Sequence, residues 1–211
     1  MKKITAKDIA IDAIFVAILA IMTFVPFVGV ITLPFGSFTL LHLPVLLGAY
    51  LFGWRKGLLF GTAMGVLTMI KALTTPGLSP FDLLFIWPWI SVLPRAIFGF
   101  LSGLFFDILH KNSKLYGNPL IVGLLSFAFT VMHTVLVFGS LFIFFPNETF
   151  AVVSAQGEIV KGVGAVVAVI ILIGMTGEAI LAGLVTPAVG KGTMFVAKNF
   201  RSDSSREEEE E

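Results

Sequence analysis

Few side chains in this apolar sequence could do chemistry, and the most informative is an arginine inside a hydrophobic run. Arg95 is the single charge between Leu83 and Phe106. Such a charge near the centre of a membrane-length segment costs about 3 kcal/mol even on permissive insertion scales, so it persists where it faces a polar cavity, a partner or an anionic ligand. Its neighbours are aromatic or loosen a helix: Phe85, Trp87, Pro88, Trp89, Pro94 and Gly99. This combination is typical of a binding site.

The other ionisable residues within or at the ends of apolar segments are Asp12, His42, Asp107, His133 and Glu178. His133 lies mid-segment and is either a ligand-binding residue or a hydrogen-bonded packing residue. Glu178 is the one acidic candidate to neutralise Arg95, but we expect it nearer the opposite membrane face, which favours a structural role. We expect the two aspartates to be solvated at segment ends. A small anion entering from outside would then satisfy Arg95.

Two tryptophans open the segment that contains Arg95. Trp87 and Trp89, with Phe85, belong either to an aromatic belt at the membrane surface or to the wall of a pocket. Residues two apart on a helix point in different directions. We therefore expect one tryptophan to face lipid and the other to face Arg95.

Recognised catalytic motifs are absent from the sequence. It has no GxxxxGK[ST], HExxH or GxSxG pattern, and it contains no cysteine. We therefore predict that the chain is not an enzyme, cannot hydrolyse ATP, and needs no metal or cofactor. The formal net charge of +1 gives no indication of nucleic-acid binding.

The elements that must position these residues are membrane helices. The chain is 57% hydrophobic and 13% charged, with a mean hydropathy of +0.99. Six apolar segments can be recognised, at about 6–25, 38–52, 58–73, 84–109, 119–145 and 163–185. Most lysines and arginines precede the first segment, follow the last, or lie in loops 53–57 and 110–118, which predicts cytoplasmic termini. We predict an all-α integral membrane protein, a six-helix bundle over residues 1–190, with a disordered cytoplasmic charged tail over 191–211.

Small residues and loops add two expectations. Alanines at 6, 10, 13, 17 and 20 and glycines at 57, 61 and 65 form stripes that allow close helix approach, either within the bundle or onto another membrane protein. Glycines 99 and 103 repeat the spacing in the fourth segment. The uncharged loop 26–37 and the Pro/Gly-rich loop 74–82 are either a lid over an outer pocket or ordinary connections.

Two stretches of sequence resemble a known family. They are FTLLHLPVLLGAYLFGWRKGLLFG in the second segment and SVLPR-x-x-x-G in the fourth. Together they resemble the substrate-binding S components of energy-coupling factor (ECF) vitamin transporters, most closely the pantothenate-type S components. The resemblance implies a multi-pass protein of a prokaryotic cell membrane that captures a vitamin from outside. It implies docking on a transmembrane T subunit with two ATPase subunits, and Ala13 and Ala17 match the family's docking stripe.

The resemblance also implies a ligand and its site. Pantothenate is a small carboxylate with hydroxyls and one amide; Arg95 would bind the carboxylate, with Phe85, Trp87, Trp89, His133 and Lys71 as further substrate-binding residues. Riboflavin would need a flat aromatic slot, folate a second cation such as Lys71, and cobalamin a larger pocket. An autonomous small transporter would usually show an internal repeat, which we do not see. An intramembrane enzyme using His133 and Glu178 has no motif to support it.

Overall fold

The fold is that of a helical bundle with one small hairpin. The computed structural model describes residues 6–25, 27–33, 36–75, 83–111, 113–157 and 175–210. Its elements, in chain order, are α1 (Ala6–Phe24), β1 (Val30–Leu33), β2 (Gly36–Thr39), α2 (His42–Phe52), α3 (Trp54–Thr74), α4 (Pro88–Ser91), α5 (Leu93–His110), α6 (Ser113–Tyr116), α7 (Pro119–Phe144), α8 (Pro146–Gly157) and α9 (Met175–Glu210).

The helices follow the apolar segments closely. Helices occupy most of each of the first five predicted segments, because an apolar run must satisfy its own backbone hydrogen bonds in lipid; the fourth is divided between α4 and α5, and the second begins in β2. Among the described helices, α3, α7 and the run Pro88–His110 are long and apolar enough to cross a membrane. Residues 163–174 of the sixth predicted segment lie outside the described residues, and its remainder begins α9.

The glycine stripe of α3 packs inside the bundle. Gly57 lies against the backbone of Gly99, and Gly61 lies against the backbone carbonyl of Arg95. A side chain at either glycine would collide with α5, so the spacing allows the two helices to approach backbone to backbone. This contact fixes α5, and with it Arg95, against the centre of the bundle.

The alanine stripe of α1 has the opposite environment. Ala13 and Ala17 are exposed, as are Ile14 and Ile18, while the inner face of the helix buries Leu19. α1 therefore lies at the edge of the bundle with its small residues uncovered. The two stripes look alike in the sequence but have different neighbours.

The chain reverses between α2 and α3 at Gly53, whose φ of 82° is readily adopted only by glycine. Asp107 of α5 accepts a hydrogen bond from the Trp54 backbone N–H at 3.0 Å, which satisfies the first turn of α3. Asp107, expected to be solvated, is partly exposed, and its carboxylate also caps the neighbouring helix.

A β-hairpin is the exception to the predicted all-α fold. Val30–Leu33 pairs antiparallel with Gly36–Thr39, in the register Val30 opposite Thr39. The first strand reads VITL, and β-branched residues favour extended backbone. Part of the loop predicted at 26–37 is thus ordered as a hairpin, although Pro26, Pro34 and Phe35 lie outside the described residues. Of the second predicted lid loop, residues 76–82 lie outside them as well.

Two further helices occupy segments predicted as loop or tail. α8 covers most of the polar connection after α7, and α9 continues to Glu210 through the segment predicted to be a disordered tail. Gly183 of α9 lies near the backbone of Gly123 in α7, which draws these two helices together. The division of the chain at residue 190 stays a prediction.

Candidate ligand-binding site

Arg95 sits where the fourth apolar segment breaks. α4 ends at Ser91, and Pro94 at the start of α5 has no N–H to offer the Ile90 carbonyl one turn earlier. The Arg95 Nη1 atom donates to the carbonyls of Ile90, at 3.2 Å, and Ser91, at 2.8 Å. The break in the helix thus supplies the acceptors that hold one side of the guanidinium.

One further nitrogen of the guanidinium, Nε, has no hydrogen-bond partner among the described residues. Arg95 is 6% exposed. The Phe85 ring lies 5.1 Å from Cζ, within cation–π distance. Lys56 forms an ion pair with Asp12. Within the described part of the chain, no carboxylate forms an ion pair with Arg95. Nε and Nη2 form one of the edges through which arginine binds carboxylates bidentately.

Two histidines extend this buried polar cluster. The His133 ring packs 4.8 Å from Phe98, one turn along α5 from Arg95. The His42 ring lies 6.3 Å from His133, nearly parallel to it. His133 Nε2 and both ring nitrogens of His42 lack hydrogen-bond partners among the described residues. The backbone carbonyls of Thr39 and Glu178 approach the His42 ring, although neither meets the geometry of a full hydrogen bond.

Glu178 lies on the same side of the bundle as this cluster. Its carboxylate accepts a hydrogen bond from the backbone N–H of Thr39, three residues before His42. The predicted position of Glu178, nearer the opposite membrane face from Arg95, was wrong. Glu178 holds the end of the hairpin against α9, which agrees with a structural role.

Trp87 and Trp89 stack on each other, with ring centroids 4.8 Å apart. The expectation that they point apart was wrong, because Trp87 has extended backbone and precedes the first helical residue, Pro88. Both are partly exposed and pack against Phe145 and Phe144 at the end of α7. They form an aromatic rim beside Phe85.

Lys71 is half-buried in the last turn of α3. It lies about 9 Å further along that helix than Gly65, which contacts Val92 at the break of the fourth segment. Lys71 therefore lies beyond Arg95, toward the rim end of the bundle.

Toward the other end of the bundle, titratable groups are paired. Asp12, predicted to be solvated, binds Lys56 through both carboxylate oxygens at 2.7 Å. The Tyr50 hydroxyl donates to the Tyr116 carbonyl at 3.1 Å, and the Tyr116 hydroxyl donates to the Tyr50 carbonyl at 2.9 Å. In the ranges that the structure describes, no group of three or more metal-ligating side chains converges.

His42 is the site residue that sequence reasoning did not select. It opens α2 in the string LLHLPV, and its approach to His133 depends on tertiary packing over a long sequence separation. A histidine inside an apolar segment was the available signal. Arg95, His133 and Phe85, which were selected, converge around the same cluster.

A family-wide sequence profile described as "ECF transporter, substrate-specific component" matches residues 7–190. The chain belongs to this family. The match confirms the resemblance drawn from the sequence motifs. This substrate-specific component is therefore a multi-pass protein of a bacterial cell membrane, in agreement with its apolar helices.

Two relatives of this chain are named as pantothenate transporters. The pantothenic acid transporter PanT of Lactococcus lactis subsp. cremoris is 37% identical over 158 residues, which cover 69% of this chain and 77% of the relative. The pantothenate transporter PanT of Leuconostoc mesenteroides subsp. mesenteroides is 30% identical over 135 residues, covering 61% of this chain and 65% of the relative. Both relatives are named as transporters, which agrees with the prediction of a transport protein.

Proposed function

We propose that this protein is the membrane-embedded binding subunit of an ECF-type ABC importer and that its ligand is pantothenate. The family supports the transport role, and the names of the two relatives support the ligand. The observation that carries the proposal is the buried Arg95 guanidinium with an unpaired Nε. A buried cation without a counter-charge is costly, and a ligand carboxylate would supply one.

The rest of the predicted site fits around that carboxylate. Phe85 lies against the guanidinium and His133 lies beyond Phe98, so both can line a ligand bound to Arg95. The stacked Trp87 and Trp89 and the half-buried Lys71 would form the rim through which the ligand enters from outside.

Energy would come from partners. We propose that the chain delivers its ligand through a transmembrane T subunit driven by two ATPases, and that it docks through Ala13 and Ala17. Their exposure on the uncovered face of α1 supports this.

Replacing Ala13 or Ala17 with leucine should abolish both the binding of this protein to the T subunit and the uptake of ligand by cells. Binding of ligand to the isolated protein should survive. Ala188→Leu, at an exposed alanine on α9, is the control; capture that survives both stripe variants would remove α1 as the docking face.

The proposed topology has six spans and both termini in the cytoplasm, with residues 1–190 as the membrane domain and 191–211 as a tail. A cysteine at position 156 should react with an impermeant reagent in intact cells, and one at position 114 should not. Labelling at 114 from outside would contradict the six-span arrangement.

The experiment that tests the function measures binding of pantothenate to the purified protein by calorimetry. Arg95→Ala should weaken binding by about tenfold to a hundredfold, because a hydrogen bond to a charged group is worth roughly 1.5–3 kcal/mol. Arg95→Lys should restore it only in part, since a fork becomes a point charge. The matched control is Arg55→Ala, at an exposed arginine that stacks on Trp54.

Two outcomes would decide against the proposal. Normal affinity in a folded Arg95→Ala protein would remove the carboxylate clamp. Tight binding of riboflavin, folate or cobalamin with no binding of pantothenate would reassign the ligand within the same family.

If Arg95 instead paired with Glu178, combining Arg95→Ala with Glu178→Gln would recover lost stability; the separate partners of the two residues predict additive losses.

A further inference from the structure

The buried polar cluster contains more hydrogen-bonding capacity than a carboxylate clamp needs. His42 is 0% exposed, yet neither ring nitrogen is hydrogen-bonded to the described residues. Buried polar atoms in native proteins nearly always have a partner, and leaving one without is costly. An apolar side chain would fill the same space without that cost. The approaching carbonyls of Thr39 and Glu178 do not complete hydrogen bonds to the ring, so both nitrogens of His42 have capacity for a bound partner.

The geometry indicates where that partner binds. His133 Nε2 and both nitrogens of His42, which lack partners among the described residues, belong to rings with centroids 6.3 Å apart and planes inclined by 29°. Phe98 packs against His133 and lies one turn from Arg95 on α5. The cluster thus extends from the guanidinium, past an aromatic side, to two imidazoles. A small elongated molecule bound at Arg95 could reach both histidines with its other end.

The chemistry of imidazole narrows what that end can be. A neutral imidazole has one donor and one acceptor nitrogen, so two of them match a hydroxyl or an amide, which also both donate and accept. A second carboxylate would require donors alone. A purely apolar end would leave the ring nitrogens unpaired.

We infer that His42, together with His133, binds the uncharged hydroxyl- or amide-bearing part of the ligand whose carboxylate Arg95 holds. This rests on the proposed function, since it assigns the second half of the same site. The two ends of the site would then select together for a monocarboxylate that carries neutral polar groups.

The test compares three ligands on matched variants. The ligands are pantothenate, an analogue lacking a hydroxyl, and the alcohol in which CH₂OH replaces the carboxylate. His42→Phe should weaken pantothenate binding about tenfold and abolish discrimination against the deoxy analogue, while discrimination against the alcohol persists. Arg95→Ala should do the reverse. His110→Phe, at the third histidine of the chain, outside the cluster, should change neither.

A second measurement follows the wild-type protein itself. Its imidazole ¹⁵N signals, assigned by comparison with His110→Phe and His133→Phe, should shift for His42 and His133 on saturation with pantothenate and stay fixed for His110. Unmoved His42 signals, or wild-type affinity and discrimination in folded His42→Phe, would overturn the inference.

An error in the proposed ligand can be distinguished from an error in the role of His42. If the wild-type protein does not bind pantothenate, the same variants are compared for the small molecule that co-purifies and is identified by mass spectrometry. Equal retention by His42→Phe would overturn the role of His42 alone. A wild-type protein that retains no small molecule and binds no pantothenate would overturn both proposals.

Discussion

Two groups of polar side chains in this protein have opposite environments. Near the basic loops, Asp12 of α1 binds Lys56 of α3, and Tyr50 of α2 and Tyr116 of α6 exchange hydrogen bonds. In the middle of the bundle, Arg95, His42 and His133 each keep at least one nitrogen unpaired among the described residues. The first group is complete within the described residues, and the second is not.

The paired and unpaired groups should contribute differently to folding stability and to ligand binding. A paired polar group repays its desolvation within the fold, whereas an unpaired buried one lowers stability until a ligand binds. We therefore expect substitutions in the paired group to change the free energy of unfolding and leave ligand affinity intact. Substitutions in the unpaired group should change ligand affinity, with a loss of stability limited to the hydrogen bonds that each residue makes within the chain, such as those of Arg95 to Ile90 and Ser91.

The strongest way to break this comparison is to give Arg95 an internal partner. The Phe85 ring lies 5.1 Å from its Cζ, in a turn that precedes α4, so Phe85→Glu would bring a carboxylate beside the guanidinium without breaking a helix. We expect pantothenate affinity to fall by about a hundredfold or more, through competition and charge repulsion. The melting temperature should stay level or rise.

Phe85→Leu is the matched control, because it removes the ring without adding a charge. It should weaken binding only several-fold. An affinity near that of the wild type in folded Phe85→Glu would show that Arg95 is not the carboxylate-binding group.

What could be read from the sequence depended on local patterns. The apolar runs located the helices because lipid requires long uninterrupted segments, and the single charge among them identified Arg95. The strand pairing was missed although VITL is rich in β-branched residues, since the surrounding uncharged loop was read as irregular.

The contacts that could not be predicted are those between distant parts of the chain. Glu178 meets Thr39 across 139 residues, and Lys56 meets Asp12 across 44. The histidine pair also joins separate helices. The tryptophan error had a local cause: a rule for helical residues was applied to Trp87, which precedes the helix.

The Asp12–Lys56 pair offers the next test, with an expected effect on stability alone. The Lys56 and Asp12 side chains keep 22% and 26% of their surface exposed, so the pair is only partly shielded from solvent. Lys56→Met should lower the free energy of unfolding by about 1 kcal/mol, because an unpaired carboxylate remains at the α1–α3 contact. Adding Asp12→Asn should recover part of that loss, and pantothenate affinity should stay within twofold in both.

The control for this pair is Lys111→Met, at an exposed lysine beyond the end of α5. It should leave thermal unfolding unchanged. A loss of pantothenate affinity in Lys56→Met, without a loss of stability, would contradict the separation of the two groups.

The smallest expected effect is at Tyr116. The Tyr50 carbonyl lies at the end of α2, where its usual helical donor would be the Trp54 N–H; that N–H binds Asp107 instead, and the Tyr116 hydroxyl fills the vacancy. Burial, followed by the neighbouring Tyr50, raises the pKa of the Tyr116 phenol, so it stays protonated and donates at neutral pH. Tyr116→Phe should therefore lower the free energy of unfolding by about 1 kcal/mol.

The pH dependence adds a signature that a simple packing loss would not give. Because the folded-state pKa is raised above the ordinary phenol value, the unfolded chain loses this proton first, so the wild-type protein should lose stability as the pH rises above about 10. Tyr116→Phe should flatten most of that decline, while Tyr50→Phe, which leaves the buried Tyr116 phenol in place, should retain part of it. The measurement is thermal unfolding from pH 7 to 11 with pantothenate binding at pH 7, which should be unchanged in both variants. A Tyr116→Phe protein that unfolds like the wild type at every pH would show that this pairing contributes nothing to the fold.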